Sequence, residues 1–141
     1  VTKSAWSLWI GLAISLGSGP TFAGDIAKGE KLFGNCLACH RLQGDDGTTI
    51  RKGGRAGPNL FGVVGRLAGS APSYEYSEGL QALQKSGQVW SKESLTAFVV
   101  NPNDFLSVQL GPGHTSKMPF ALPDGAADIA EYLANVATIG R

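Results

Sequence analysis

Cys36-Leu37-Ala38-Cys39-His40 places two thiols three residues apart with an imidazole directly behind the second. Three kinds of chemistry use cysteines at this separation. They are a dithiol redox pair, half of a structural zinc site, and covalent attachment of a c-type haem, in which both sulfurs bond the porphyrin and the following histidine takes the iron. A redox pair would sit in a strand–helix–strand unit, of which the sequence carries no sign. A zinc site needs two more ligands, whereas 36 and 39 are the only cysteines and His114 the only other histidine. Haem attachment uses all three residues and asks nothing more of this stretch. His40 is accordingly the candidate proximal ligand.

An iron held this way needs a sixth ligand or keeps an open site. Met118 is the only methionine, and it stands between Ser116-Lys117 and Pro119-Phe120 rather than in an apolar periodic run, where a gap-filling methionine belongs. A thioether suits haem iron. The rival is His114, earlier in the same stretch, which would give a bis-histidine iron of lower potential. Position alone leaves the two open.

Haem attachment of this kind belongs to an oxidising, extracytoplasmic compartment, so a transport signal is expected. The N-terminus reads as one: Lys3, an apolar core over residues 5–16, a break at Gly17-Ser18-Gly19-Pro20, and the small-residue site Thr21-Phe22-Ala23. This predicts a signal peptide over residues 1–23, cut after Ala23. The apolar core is much shorter than the about 20 residues of a bilayer span, so no membrane anchor is expected after cleavage.

Residues 24–141 suit one small domain. Twenty glycines in 141 residues leave little regular structure from which to build a core, and a large buried cofactor would complete it. Ligand binding would then be folding energy, with a largely unfolded apoprotein. Without Lys3 the chain carries 11 basic and 11 acidic residues, and it shows no nucleic-acid footprint.

The elements that must position these groups read as short helices. Asp25 caps the first, with Ile26, Gly29, Leu32 and Phe33 on one face and Gly34-Asn35 ending it before Cys36. A short helix is predicted over residues 77–85. Another runs over 90–100, capped by Ser91, with Leu95, Phe98 and Val99 facing inward and Asn101-Pro102 stopping it. Pro123-Asp124 opens the last, whose stripe is Ile129, Tyr132, Leu133 and Val136 and whose stop is Gly140. Residues 41–57 and 104–117 read as long loops. No alternating strand pattern appears, so the fold class is all-α.

The order of these landmarks resembles a known family. Residues 24–33, the CLACH run, Gly57-Pro58-Asn59-Leu60, Gly65-Arg66, Tyr74-Glu75-Tyr76-Ser77, Trp90, Asn101-Pro102, Ser116-Lys117-Met118 and residues 128–133 are similar to the class I cytochromes c, most closely the long-loop bacterial cytochromes c2. The resemblance covers essentially all of 24–141. It implies the cytochrome c fold, short helices and long loops wrapped around one haem c attached through Cys36 and Cys39, with His40 and Met118 as iron ligands. It further implies that the Pro58 carbonyl accepts the ring N–H of His40, and that Arg66, Tyr76, Trp90 and Ser116 hydrogen-bond or neutralise the haem propionates. Gly29 and Phe33 would meet Tyr132 and Leu133 where the first and last helices cross, and Phe120 would lie beside the haem edge.

The implied function is electron transfer without substrate turnover, by a monomeric periplasmic carrier that docks briefly on membrane redox complexes. A cytochrome bc1-type complex would be the donor, and a photosynthetic reaction centre or terminal oxidase the acceptor. Two departures stand out. Phe98 occupies a position where many relatives carry a tyrosine bonded to the ligand sulfur. Lysines, which relatives array around the haem edge, are reduced to Lys117 with Lys28, Lys31, Lys52 and Lys85, so electrostatic steering should be weaker. Two other readings remain: a haem peroxidase or gas-binding sensor acting through a labile Met118, and a haem subunit retained in a respiratory complex.

Overall fold

The computed structural model describes residues 23–139. The predicted signal peptide, apart from Ala23, and the predicted helix stop at Gly140 lie outside them.

Helix α1 (Ile26–Leu32) begins where the Asp25 carboxylate accepts the Lys28 N–H at 2.9 Å. It does not break at Gly34-Asn35. It tightens instead into a 3₁₀ turn over Phe33–Cys36, which carries the chain directly into the two cysteines. Two short strands follow, β1 (Leu42–Gln43) and β2 (Thr49–Arg51), paired antiparallel with an irregular register between Leu42↔Arg51 and Gln43↔Thr49. This small ladder is an addition to the all-α expectation and lies within the predicted 41–57 loop.

Ser77 caps α2 (Glu78–Lys85), whose Leu80 and Leu83 are buried. Ser91 caps α3 (Lys92–Val100) in a reciprocal box with Ser94, and Leu95, Phe98 and Val99 face the core as the apolar spacing predicts. The expectation of a loop over 104–117 fails in its first half. A fourth helix, α4 (Pro102–Leu110), starts at the very residues predicted only to stop its predecessor. Asn101 is extended, with φ −157° and ψ 103°, which ends α3; its side-chain oxygen then accepts the Asp104 N–H at 3.2 Å and caps α4, where Pro102 needs no N–H of its own.

The last helix, α5 (Ala126–Ile139), buries Ile129, Tyr132, Leu133 and Val136, the predicted stripe. It crosses α1 so closely that a Cβ on Gly29 would overlap the Asp128 carbonyl. Phe33 is fully buried there, its ring 5.5 Å from that of Tyr132. Asp128 locks the crossing from outside, accepting the Asp25 N–H at 2.8 Å and pairing with Lys28 Nζ at 2.9 Å. Lys92 and Glu131 join α3 to α5 in the same way at 2.8 Å. Among the described residues, no helix is long and apolar enough to cross a membrane.

Candidate haem site

The helices and loops close around a cavity of about 510 Å³ with largely apolar walls. Cys36, Cys39 and His40 line it, and so do Pro58, Arg66, Tyr76, Trp90, Ser116 and Met118. Every residue predicted for the site therefore borders one space. The rival His114 is not among the lining residues; its Nδ1 lies 3.2 Å from the Gly111 carbonyl at the end of α4.

Local structure fixes each group. The 3₁₀ turn ends at Cys36, and the Cys39 and His40 N–H groups both donate back to the Cys36 carbonyl, at 3.1 and 2.8 Å, wrapping the five-residue run into a tight coil. His40 is buried, and its Nδ1 donates to the Pro58 carbonyl at 2.8 Å. That bond selects the tautomer, leaving Nε2 as the ring nitrogen with a free lone pair. Burial holds the imidazole below its ordinary pKa, with the Pro58 bond opposing, so it is neutral and able to ligate at pH 7. Gly57 lies flat against the ring, where a Cβ would overlap it.

The two thiols are free of any disulfide. Burial, with Cys39 nearby, pushes the Cys36 thiol up to about 11. A redox-active pair requires the opposite shift, towards thiolate, so the electrostatics here disfavour dithiol exchange. No group of three or more His, Cys, Asp and Glu placed to hold a metal occurs among the described residues, which leaves a zinc reading without its further ligands.

On the other side, the chain around Met118 is pinned at several points. Ser116 N donates to Asn103 Oδ1 of α4 at 2.9 Å, and Ser116 Oγ accepts the Met118 N–H at 3.0 Å. Lys117 Nζ reaches the Glu75 carbonyl at 3.0 Å, and Leu122 N donates to the Val99 carbonyl at 2.9 Å. Met118 is half-buried against the core. Asn103 and Lys117 hold the Met118 loop in place; sequence reasoning gave Asn103 no role and read Lys117 only as part of the motif and a haem-edge lysine, and the capping pattern Asn101-Pro102 was the available signal for the helix that carries Asn103.

Polar groups also line this apolar space. Arg66 and Trp90 are set side by side by a short bridge, in which Trp90 N donates to the Arg66 carbonyl at 2.9 Å and Gly65 N to the Trp90 carbonyl at 2.7 Å. The Arg66 guanidinium donates to the Phe61 and Asn59 carbonyls at 3.1 and 3.0 Å, and burial holds its pKa below the ordinary value. Tyr76 Oη accepts the Ala71 N–H at 3.3 Å, and burial raises its pKa. Tyr74, quoted in the motif but given no role there, also lines the cavity and donates to the Ala56 carbonyl at 3.0 Å. Trp90 and Phe98 line the cavity with ring centres 5.2 Å apart, and Phe105, in the core behind them, packs against both at 5.6 and 5.8 Å. Phe120 lines the mouth and is 39% exposed.

The donor set fits a haem c. Two thiols, a neutral imidazole with its second nitrogen engaged, and a thioether share an apolar cavity, and the half-buried Arg66 cation borders it.

Comparison with known proteins agrees. The family model described as Cytochrome c matches residues 26–137. Cytochrome c2 of Rhodobacter capsulatus is 46% identical over 118 residues, spanning 83% of this chain and 86% of that protein. Cytochrome c-551 of Roseobacter denitrificans is 43% identical over 132 residues, spanning 92% and 94%. Among solved structures, cytochrome c2 from Rhodobacter capsulatus superposes with a TM-score of 0.79 at 45% identity, over 80% of this chain and 98% of that one. Ferric cytochrome c-550 from Paracoccus versutus does so with 0.77 at 42%, over 81% and 98%. Sequence, fold and cavity thus converge: the chain belongs to the cytochrome c family and carries one covalently bound haem c.

Proposed function

We propose that this haem electron carrier is a periplasmic shuttle whose haem c is bound through Cys36 and Cys39, with His40 and Met118 as the two iron ligands. The observation that carries the reading is the His40 Nδ1–Pro58 bond, which leaves Nε2 for the iron in the same cavity that both thiols and Met118 line. When bound, haem c supplies a one-electron Fe(III)/Fe(II) couple.

The chain's own part is to hold, tune and insulate. Pro58 orients the imidazole and raises its basicity. Neutral ligands and apolar walls favour the less charged, reduced state and so raise the potential. Arg66, Tyr76, Trp90 and Ser116 present positive charge and hydrogen-bonding groups for the propionates, which would be costly to bury alone. The pinned Met118 loop would hold the thioether for the iron, and with His40 and Met118 both engaged as ligands no position would be left for a reactant. The protein is accordingly read as a carrier rather than an enzyme.

The proposed route has a bc1-type complex as donor and a reaction centre or terminal oxidase as acceptor. Docking is brief, through the face where Phe120 and Lys117 border the cavity. Residues 1–23 serve as the export signal, and residues 24–141 are the mature domain. Purified holoprotein tests the whole reading. The pigment should resist acid–acetone extraction, the oxidised spectrum should show a thioether-to-iron band in the far red, and carbon monoxide should leave the reduced spectrum unchanged. A pigment that washes out, or a reduced form that binds carbon monoxide, would overturn it. Mass spectrometry of the periplasmic protein should place the mature N-terminus at Gly24.

A further inference from the structure

A second cleft, of about 270 Å³, lies behind the haem-attachment coil and is separate from the haem cavity. It is lined by Arg41, Lys52 and Arg55 together with Gln43, Thr49 and Gly53, with no carboxylate among them. Among the described residues, none of the three cations has a carboxylate within ion-pair distance. The Nε of Arg41 is buried without any hydrogen-bond acceptor, the one such side-chain atom among the described residues.

The neighbouring charges are otherwise engaged. Arg51, on the same ladder, pairs with Glu30 at 3.6 Å and stands over the Phe33 ring. Asp46 is turned to Thr48, accepting from its N–H and hydroxyl at 2.9 and 2.7 Å. Three like charges facing one cleft repel, and a buried guanidinium donor without an acceptor is costly. Both costs fall if an anion sits among them. Arg forks match tetrahedral oxyanions, and Thr49 adds a neutral hydroxyl.

We propose that the cleft formed by Arg41, Lys52 and Arg55 binds a phosphate group, free or borne on a phospholipid, and that its occupancy is felt at the haem. The coupling follows from contact. Gly53 in the cleft wall lies so close to the His40 backbone that a Cβ there would overlap the His40 carbonyl, and Arg41 is the next residue along. A negative charge behind the proximal ligand favours the more positive, oxidised state, so binding should lower the reduction potential. The coupling rests on the haem reading of the site; the binding does not.

Calorimetry on the holoprotein with inorganic pyrophosphate, against sodium chloride of equal ionic strength, tests the binding. One saturable site is expected, weakened about tenfold or more by Lys52→Gln with Arg55→Gln, as loss of charge-assisted hydrogen bonds requires. Both residues are exposed, so these changes leave the core intact. Lys92→Gln removes a cation from α3 and should leave binding unaltered. No saturable binding, or equal weakening by Lys92→Gln, overturns the site. If pyrophosphate binds and vesicles of phosphatidylglycerol do not retain the protein, the ligand is a free phosphate; retention that depends on Lys52 and Arg55 assigns the lipid headgroup. Redox titration should show the potential falling with pyrophosphate, saturating with the calorimetric isotherm, and remaining constant in the double variant. Binding without that fall overturns the coupling alone. A chain without attached haem would overturn the earlier reading while leaving the calorimetric result in force.

Discussion

The backbone of Gly57 lies flat on the imidazole of His40, so close that any β-carbon at residue 57 would occupy the ring's own space. The next residue's carbonyl, that of Pro58, receives the ring's Nδ1–H at 2.8 Å. One two-residue segment therefore sets both the face and the rotation of the proximal ligand. Gly57→Ala must push the ring or the segment aside, and overpacking of this kind costs about 1–3 kcal/mol. The expected result is a lower yield of holoprotein and a lower melting temperature, with residual holoprotein showing an altered potential because the Pro58 bond is lengthened. Wild-type potential and stability in Gly57→Ala would contradict the geometry.

Gly29 tests the helix crossing by a balance of two effects. Alanine raises helix propensity by up to about 1 kcal/mol over glycine in a helix interior. Here the new methyl would overlap the Asp128 carbonyl and crowd Tyr132 Cβ at 2.9 Å, and a main-chain oxygen in a helix cannot step aside alone. The overlap should outweigh the propensity gain, so Gly29→Ala is expected to be destabilised by about 1–3 kcal/mol in denaturant unfolding. A more stable variant would mean that the α1–α5 crossing is looser than it looks.

These two contacts also mark how far the sequence could be read. Caps and stripes are local: Asp25, Ser77 and Ser91 sit at predicted helix starts, and Ile129, Tyr132, Leu133 and Val136 recur at helical spacing, so four helices were legible. Helix α4 was not, because Asn101-Pro102 has two meanings. Proline stops a helix behind it and starts one at its own position, and local chemistry does not say which. The β1–β2 ladder has too few residues for alternation to show. At the site, the motif named the ligand candidates, since their residue types and spacing carry the chemistry. The resemblance also supplied the Pro58 carbonyl that holds His40, but what holds the Met118 loop was hidden. Asn103 reaches Ser116, and Lys117 reaches Glu75, across separations of 13 and 42 residues, which no pattern along the chain encodes.

Met118 is predicted to be the second iron ligand, and Met118→Ala separates that role from packing. Removing the thioether should abolish the far-red band, open the reduced iron to carbon monoxide, and lower the potential, since methionine ligation raises it. His114→Ala should leave all three unchanged, because His114 does not border the cavity. Met118→Leu keeps the bulk without the ligand and should show the same spectral losses at smaller cost in stability. A Met118→Leu protein with the wild-type spectrum would remove residue 118 from the iron.

Asp128 predicts how acid loosens the crossing. Its carboxylate accepts the Asp25 N–H at 2.8 Å and pairs with Lys28 at 2.9 Å, and these bonds, the backbone one foremost, hold its pKa below the ordinary value of 3.8. A carboxyl depressed in the folded state releases its proton more readily there than in the unfolded chain. It therefore stabilises the fold at pH above the unfolded value and loses that contribution as pH falls through the folded one. Asp128→Asn removes the charge at nearly constant shape. The variant should be less stable than the wild type at pH 7, and the gap should close progressively below about pH 4. Because Lys28 is largely exposed, added salt should narrow the neutral-pH gap in part, leaving the share due to the Asp25 N–H bond. Urea midpoints of both proteins from pH 7 to pH 3, at low and high salt, measure this; a gap independent of pH would show that the carboxylate's charge does not hold α1 to α5.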